Sequence, residues 1–187
     1  MPFELQPQLR GELLSLRPLV ADDFAALYAV ASDPLIWEQH PQPDRYQEVV
    51  FRGFFRDALA SGGALIASDN RSGAIIGSSR FNAFNELARE IEIGWTFLAR
   101  SHWGGRYNSE MKQLMLRHAA HFVDKVLFII GSNNRRSQRA VEKLGGARTG
   151  SRHHVSGKED FIYTLVLSSY FGAAGAGRRT PSVIDRE

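Results

Sequence analysis

Apolar and polar positions alternate along "ELLSLRPL" (Glu12 to Leu19), which predicts a strand. The next run, "ADDFAALYAVASD" (Ala21 to Asp33), has acidic residues at its start and the apolar spacing of a helix. "DPLIWEQHPQPD" breaks the pattern. Its three prolines each remove a backbone donor and restrict the preceding residue, so it reads as loop. A second helix is expected over "YQEVVFRGFFRDALAS" (Tyr46 to Ser61), stopping at Gly62-Gly63. The period then changes: "GALIASD" (Gly63 to Asp69), "AIIGSSRFNAF" (Ala74 to Phe84) and "EIEIGWTFL" (Glu90 to Leu98) are short, rich in β-formers and separated by turn clusters, the pattern of an antiparallel meander. An amphipathic helix follows within "ARSHWGGRYNSEMKQLMLRHAAHF" (Ala99 to Phe122), then a buried strand "VLFIIGS" (Val126 to Ser132), a helix "RRSQRAVEKLGG" (Arg135 to Gly146) and two strands around "ARTGSRHHV" and "DFIYTLVL". Residues from Gly172 to Glu187 hold few large apolar side chains and are expected to form a mobile tail beyond a single domain of residues 1–171. The expected fold is mixed α/β, with a central, mainly antiparallel sheet flanked by helices.

A chain of 187 residues, 43% hydrophobic and 23% charged, is of single-domain size. No run approaches the roughly 18 apolar residues of a membrane span, and "MPFELQPQLRGELL" is no secretory signal, so a soluble, cytoplasmic protein is expected. The absence of cysteine excludes disulfides, a thiol nucleophile and thiolate zinc sites. A net charge of +3 is too mild to argue for nucleic acid. The placement of charge says more: Arg100, Arg106, Arg135, Arg136, Arg139 and Lys143 fall in or beside two segments that read as ligand-binding.

The first is "HWGGRYNSE", a small-residue turn feeding a helix. The first amides of a helix have no internal partner and sit at the positive end of its dipole, so an anion is held there readily. Trp103-Gly104-Gly105 supplies the turn, Arg106 a charge, and Asn108 or Ser109 a cap. The segment is neither G-x-G-x-x-G nor a P-loop. The second is "NNRRSQRAVEKLGG", where Asn134 and Ser137 point to one side of a helix start. His153 and His154, adjacent on a strand, face opposite ways and make no helical metal pair, so no metal is expected.

At these two segments the chain resembles the GCN5-related N-acetyltransferase (GNAT) superfamily, in the branch that includes the ribosomal-protein N-terminal acetyltransferases. "WGGRYNSEM" is similar to the branch's W-G-x-G-Y-A-x-E-A, departing from it at Arg106 and Asn108, and "NNRRSQRAVEKLGGAR" to N-x-x-S-x-x-x-x-E-K-L-G-[FA]. The resemblance covers roughly Glu12 to Leu167 and implies acetyl-coenzyme A as cosubstrate, bound where two central strands splay apart, here Ile91 to Leu98 and Val126 to Ser132. It further implies that main-chain groups of Trp95, Thr96, Phe97 and Leu98 pair with the pantetheine arm, and that amides of His102, Trp103, Gly104, Gly105, Arg106, Tyr107, Asn108 and Ser109 hold the pyrophosphate. Asn134 would bind the pantetheine arm, and Ser137 the sulfur. The position of the family's frequent acidic tyrosine is Val141 here.

Acetyl transfer to an amine needs a neutral nucleophile, a route for its proton and stabilisation of the oxyanion. Glu90 and Glu92 share strand parity and are candidates to face the acceptor, with Glu92 nearer the splay and expected to take the proton; solvent-facing charges on a half-buried strand are the alternative. The resemblance makes the amide of Phe97 or Leu98 the candidate for polarising the thioester carbonyl, and a bulge there would leave that donor free. Trp37, Glu38 and His40 lie in the proline-rich loop that the resemblance puts beside the acceptor, although Trp37 could equally anchor that loop to the core. Asn134 and Ser137 could likewise merely cap their helix. The partner would be an amine-bearing small molecule or a protein N-terminus, with a homodimer left open and neither nucleic acid nor membrane involved. An acyl-coenzyme A binder without turnover is the alternative function.

Overall fold

The computed structural model describes residues 2–153 and 157–175. Its strands are β1 (Leu9–Arg10), β2 (Leu14–Pro18), β3 (Ala64–Asp69), β4 (Ile75–Asn85), β5 (Glu90–Leu98), β6 (Lys125–Gly131), β7 (Ala147–His153) and β8 (Glu159–Val166). Its α-helices are α1 (Phe24–Ala31), α2 (Glu48–Ala60), α3 (Arg106–Ala119), α4 (Arg135–Lys143) and α5 (Leu167–Gly175). The strands form one sheet in the order β1-β2-β3-β4-β5-β6-β8-β7. Among the described strands only β5 and β6 run parallel, and the meander β3-β4-β5 is antiparallel as its turn-separated pattern predicts. No helix among the described residues is long and apolar enough to cross a membrane.

Several boundaries differ from the sequence expectation. The first predicted helix opens as a 3-10 turn over Ala21–Asp23, where the Asp23 carboxylate accepts from the Val20 amide and from both Nη atoms of Arg17. The proline-rich stretch contains two further 3-10 turns, Pro34–Ile36 and Pro43–Tyr46, because proline supplies the fixed φ of a helix start. The chain after β8 continues as α5 through Gly175, so the expected tail boundary after residue 171 falls inside a helix. Leu167 is buried in the core and Tyr170 and Phe171 pack against it. Residues 176–187, the rest of that expected tail, and His154 lie outside the described residues.

Two apolar clusters sandwich the sheet. Leu14, Leu16, Leu65, Ile91, Ile93, Met111, Met115 and Leu116 belong to one, built largely on α3. Leu27, Phe51, Phe54, Phe55, Ile66 and Phe97 belong to the other, built on α1 and α2. Strand alternation explains the division in β3, where Leu65 and Ala67 enter the first cluster and Ala64 and Ile66 the second. In β5 the rule inverts partway: Ile91 and Ile93 enter the first cluster, but Phe97, of the same parity, enters the second. The cause is a bulge. Ser78 pairs with Phe97 and Arg80 with Gly94, so three steps on β5 face two on β4, and the extra residue turns the strand over. Trp95 sits at the bulge with φ of 51°, left-handed without being glycine.

The start of α3 is fixed by a carboxylate clamp. Glu110 accepts from the amides of Glu12, Leu13 and Leu14 at 2.9, 2.8 and 2.9 Å, tying the helix to the β1–β2 hairpin. A side chain at Gly11 would come within 2.6 Å of the Glu110 carboxyl carbon, so that carboxylate would have to shift from its place on the hairpin amides.

Candidate active site

The pairing of β5 with β6 covers only Glu90 with Lys125, Ile91 with Val126 and Glu92 with Leu127. Beyond these the two central strands part, which is the expected splay. β5 carries its bulge just where it leaves β6. Past that point Trp95, Thr96, Phe97 and Leu98 keep β4 on one side and have no strand on the other.

From the parted strands the chain enters α3 and α4. The α3 helix begins at Arg106 with Gly105 as N-cap, so Asn108 and Ser109 lie inside the first turn and do not cap it. No side chain caps that end, which leaves the first amides without a partner of their own. Gly104 is left-handed at φ 69°, a conformation costly for other residues, whereas Gly105 has ordinary extended angles and open space around it. Arg106 does not point its charge into the turn: its guanidinium meets Glu12 at 2.8 Å, and both side chains are exposed. Tyr107 donates to Asp69 at 3.0 Å, and the His102 ring packs edge-on against Tyr107. The Trp103 indole N–H donates to the Leu98 carbonyl at 2.8 Å, and Arg136 lies 4.0 Å over the Trp103 ring. That stack links the loop before α3 to the first turn of α4.

Asn134 is the N-cap of α4 and accepts from the Ser137 amide at 3.2 Å, so capping is at least part of its work. Ser137 is half-buried in the first turn. Val141 is buried in the core, and Tyr163 is buried on β8 with its hydroxyl donating to Glu142 at 3.1 Å. The second motif's glutamate thus ties α4 to the sheet.

Glu92 lies on the face of β5 that looks toward α1 and α2, and is buried. Asn82 donates to it at 3.2 Å. Burial pushes its carboxyl above the ordinary range, against the opposing pull of Asn82 and the fields of Arg152 and Arg80. Glu90 is not brought beside it. That carboxylate pairs with Lys125 at 3.0 Å at the end where β5 and β6 are still joined.

In the loop between α1 and α2, Trp37 is an anchor rather than an exposed contact. It is 2% exposed, its indole N–H donates to Ala31 O at 2.7 Å, and its ring packs 5.0 Å from Phe97. Glu38 is exposed. His40 is wedged between the Gln42 amide, 3.0 Å from Nδ1, and Arg45 Nη1, 3.1 Å from Nε2. Burial and the Arg45 charge hold its pKa down at about 4, so the ring is neutral near pH 7.

Three buried cations escaped the sequence reading. Lys112 on α3 is 5% exposed and donates to Thr96 Oγ1 at 2.5 Å and to Ser79 Oγ at 3.4 Å, directly behind the bulge. Desolvation brings its pKa down to about 7. Its signal was its phase, since it precedes Met115 and Leu116 by three and four residues on the apolar stripe. Arg80 on β4 and Arg45 in the Pro43–Tyr46 turn are 6% and 8% exposed. Neither offered a signal beyond its proximity to apolar residues.

A family model described as "Acetyltransferase (GNAT) domain" matches residues 14–147. Among solved structures, an acetyltransferase from Agrobacterium tumefaciens is 26% identical with a TM-score of 0.66, covering 85% of this chain and 94% of that one. A GCN5-related N-acetyltransferase from Brucella melitensis, 19% identical, superposes with a TM-score of 0.77 over 91% of this chain and 85% of that one. Mycobacterium smegmatis RimJ in complex with CoA-disulfide is 18% identical, with a TM-score of 0.64 over 90% and 93% of the two chains. With the parted strands, the bulge and the uncapped helix start in place, and a family model spanning most of the sheet, this chain belongs to the GNAT acetyltransferase family.

Proposed function

We propose that the chain is an N-acetyltransferase that moves an acetyl group from acetyl-coenzyme A to a primary amine by direct attack. The observation that carries this reading is the wedge between β5 and β6, which opens beside a buried carboxylate and leads to an uncapped helix start. The residues fit the cosubstrate: a strand edge without a neighbour at Trp95, Thr96, Phe97 and Leu98, a left-handed Gly104, and first-turn amides of Arg106, Tyr107 and Asn108 with no side-chain cap. Coenzyme A supplies the activated acyl group and a thiolate leaving group. The chain supplies the rest. Amides from His102 to Ser109 hold the diphosphate, Asn134 orients the pantetheine arm, and the Ser137 hydroxyl donates to sulfur.

Glu92 accepts the proton of the attacking amine, directly or through water, and its raised pKa places its ionisation nearer neutrality than that of an ordinary glutamate. No cysteine is present to carry the acetyl group, which favours direct attack. Glu38 and His40 are the loop residues left to border the acceptor. The acceptor is a small-molecule amine or a protein N-terminus; likeness to the ribosomal-protein branch favours the latter.

Thiol release with a panel of amines tests the reading. Glu92→Gln should remove the acidic limb of the kcat/KM profile, since activity requires the ionised carboxylate and falls as pH drops through its pKa. Ser137→Ala should lower kcat more than cofactor affinity. Tight coenzyme A binding with no amine-dependent thiol release would make the chain a binder and not an enzyme.

A further inference from the structure

Two arginines face the α1 and α2 side of the sheet without a carboxylate to hold. Arg80 Nε and Nη2 are buried and have no hydrogen-bond partner among the described residues, and Arg45 Nε is in the same condition. Neither guanidinium makes an ion pair among the described residues, although both are more than nine-tenths buried. Arg80 lies 4.6 Å over the ring of Trp95, the residue that the bulge turns to this face. Arg45 lies 4.6 Å over Phe54, and Arg80 is 5.8 Å from that same ring. Arg45 spends its two Nη atoms on His40 and Gln42, both neutral. The two cations thus flank one aromatic ring and repel each other. Buried cationic donors without a partner are costly, and they call for a water, an ion or a ligand to meet them.

The surroundings say where the ligand's other end lies. Arg80 pairs with Gly94 and Asn82 with Glu92 across β4 and β5, so Arg80 and Glu92 are diagonal neighbours on one face. The negative charges acting on Arg80 are Glu92 and, from α2, Asp57. One face therefore offers a carboxylate beside the wedge and an arginine pair one step away.

We infer that Arg80 and Arg45 form an anion subsite for the acceptor, so that the preferred substrate is an amine carrying its own acidic group a few bonds from the nitrogen. The amine is directed to Glu92 and the acid to the orphaned guanidinium donors, whose planar forks suit a carboxylate. This inference rests on the N-acetyltransferase reading, and the acid can come from a free amino acid or from the second residue of a peptide.

Matched pairs test it. Thiol release is compared for 4-aminobutyrate against 4-aminobutyramide, and for a short peptide beginning Ser-Asp against one beginning Ser-Asn. Independently, indole fluorescence is titrated with N-acetyl-4-aminobutyrate, which keeps the acid but has no reactive amine. In the unaltered chain the acidic member of at least one pair should be favoured about tenfold to hundredfold in kcat/KM, as expected of a charge-assisted hydrogen bond. Arg80→Gln should bring the ratio of kcat/KM for the acidic over the neutral member close to one; the ratio is read within each variant, because Arg80 also acts on Glu92 and a change in that base affects both members alike. The fluorescence titration should saturate in the unaltered chain and not in Arg80→Gln. Because the substrate pairs are compared in the unaltered chain, a variant that fails to fold does not spare the idea. Turnover of acidic and neutral amines at equal rates would overturn the subsite and leave the enzyme reading standing. Saturable titration by the acid, lost in Arg80→Gln and without turnover of any amine, would support the subsite and overturn the enzyme reading.

Discussion

Replacing Lys112 by methionine keeps a long apolar stem and removes one buried ammonium. A tenfold change in proton affinity is worth about 1.4 kcal/mol. With the lysine brought from its ordinary 10.5 to about 7 by burial, the linked stability change is about 4 kcal/mol between pH 6 and pH 10. The sign follows from which state binds the proton. Between 10.5 and about 7 the unfolded chain is protonated at Lys112 and the folded chain is not, so the native state loses stability as pH falls through that window and nothing further below it. Methionine has no such term. Its own cost is a pH-independent loss of about 1 kcal/mol, because Ser79 Oγ and Thr96 Oγ1 already bond each other at 2.8 Å. Urea unfolding of both proteins at several pH values isolates the effect, since every other titrating group cancels in the difference. Lys112→Met should be the more stable protein at pH 6 and lose that advantage toward pH 10. A difference that stays constant within about 1 kcal/mol across that range would mean that the ammonium is hydrated in the fold, and the desolvation argument would be wrong.

Two other perturbations follow from the α3 start. Gly104→Ala forces a side chain into a left-handed position and should cost about 1–2 kcal/mol and weaken coenzyme A binding by calorimetry, whereas Gly105→Ala, with ordinary angles, should cost only the roughly 0.5 kcal/mol by which glycine exceeds alanine as an N-cap; equal effects of the two would refute the backbone argument. Glu110→Ala strips the acceptor from three amides at the β1–β2 turn and should cost about 2–4 kcal/mol, a Tm decrease of roughly 4–16 °C. A shift below 2 °C would show that water replaces the carboxylate freely.

Much of this architecture was readable because period carries it. The meander, the α2 and α3 stripes and the buried strand β6 each announced themselves by alternation or by three- and four-residue spacing. What escaped was decided by tertiary contacts. Nothing in "IGWTFL" marks Trp95 as left-handed, because the bulge arises from the mismatch between β4 and β5 and not from a glycine. The capping roles offered to Asn108 and Ser109 failed because α3 starts earlier, at a glycine, where the Glu110 clamp fixes the hairpin against the helix. Trp37 admits two readings, and its burial with the indole bond to Ala31 O separates them. Glu90 and Glu92 are equivalent by parity, and their partners separate them: Lys125 holds Glu90, whereas Glu92 is buried beside Asn82. Lys112 could have been found: a lysine in register with methionines and leucine on a buried stripe marks a cation in need of a partner.

The short parallel ladder between β5 and β6 also bears on how the domain responds to its cosubstrate. Among the described residues, three residue pairs make up the strand ladder between a five-stranded half and a three-stranded half of the sheet. Whatever lodges in the wedge acts as a staple across that seam, so occupancy should slow amide exchange on the outer strands β7 and β8, far from any atom it touches.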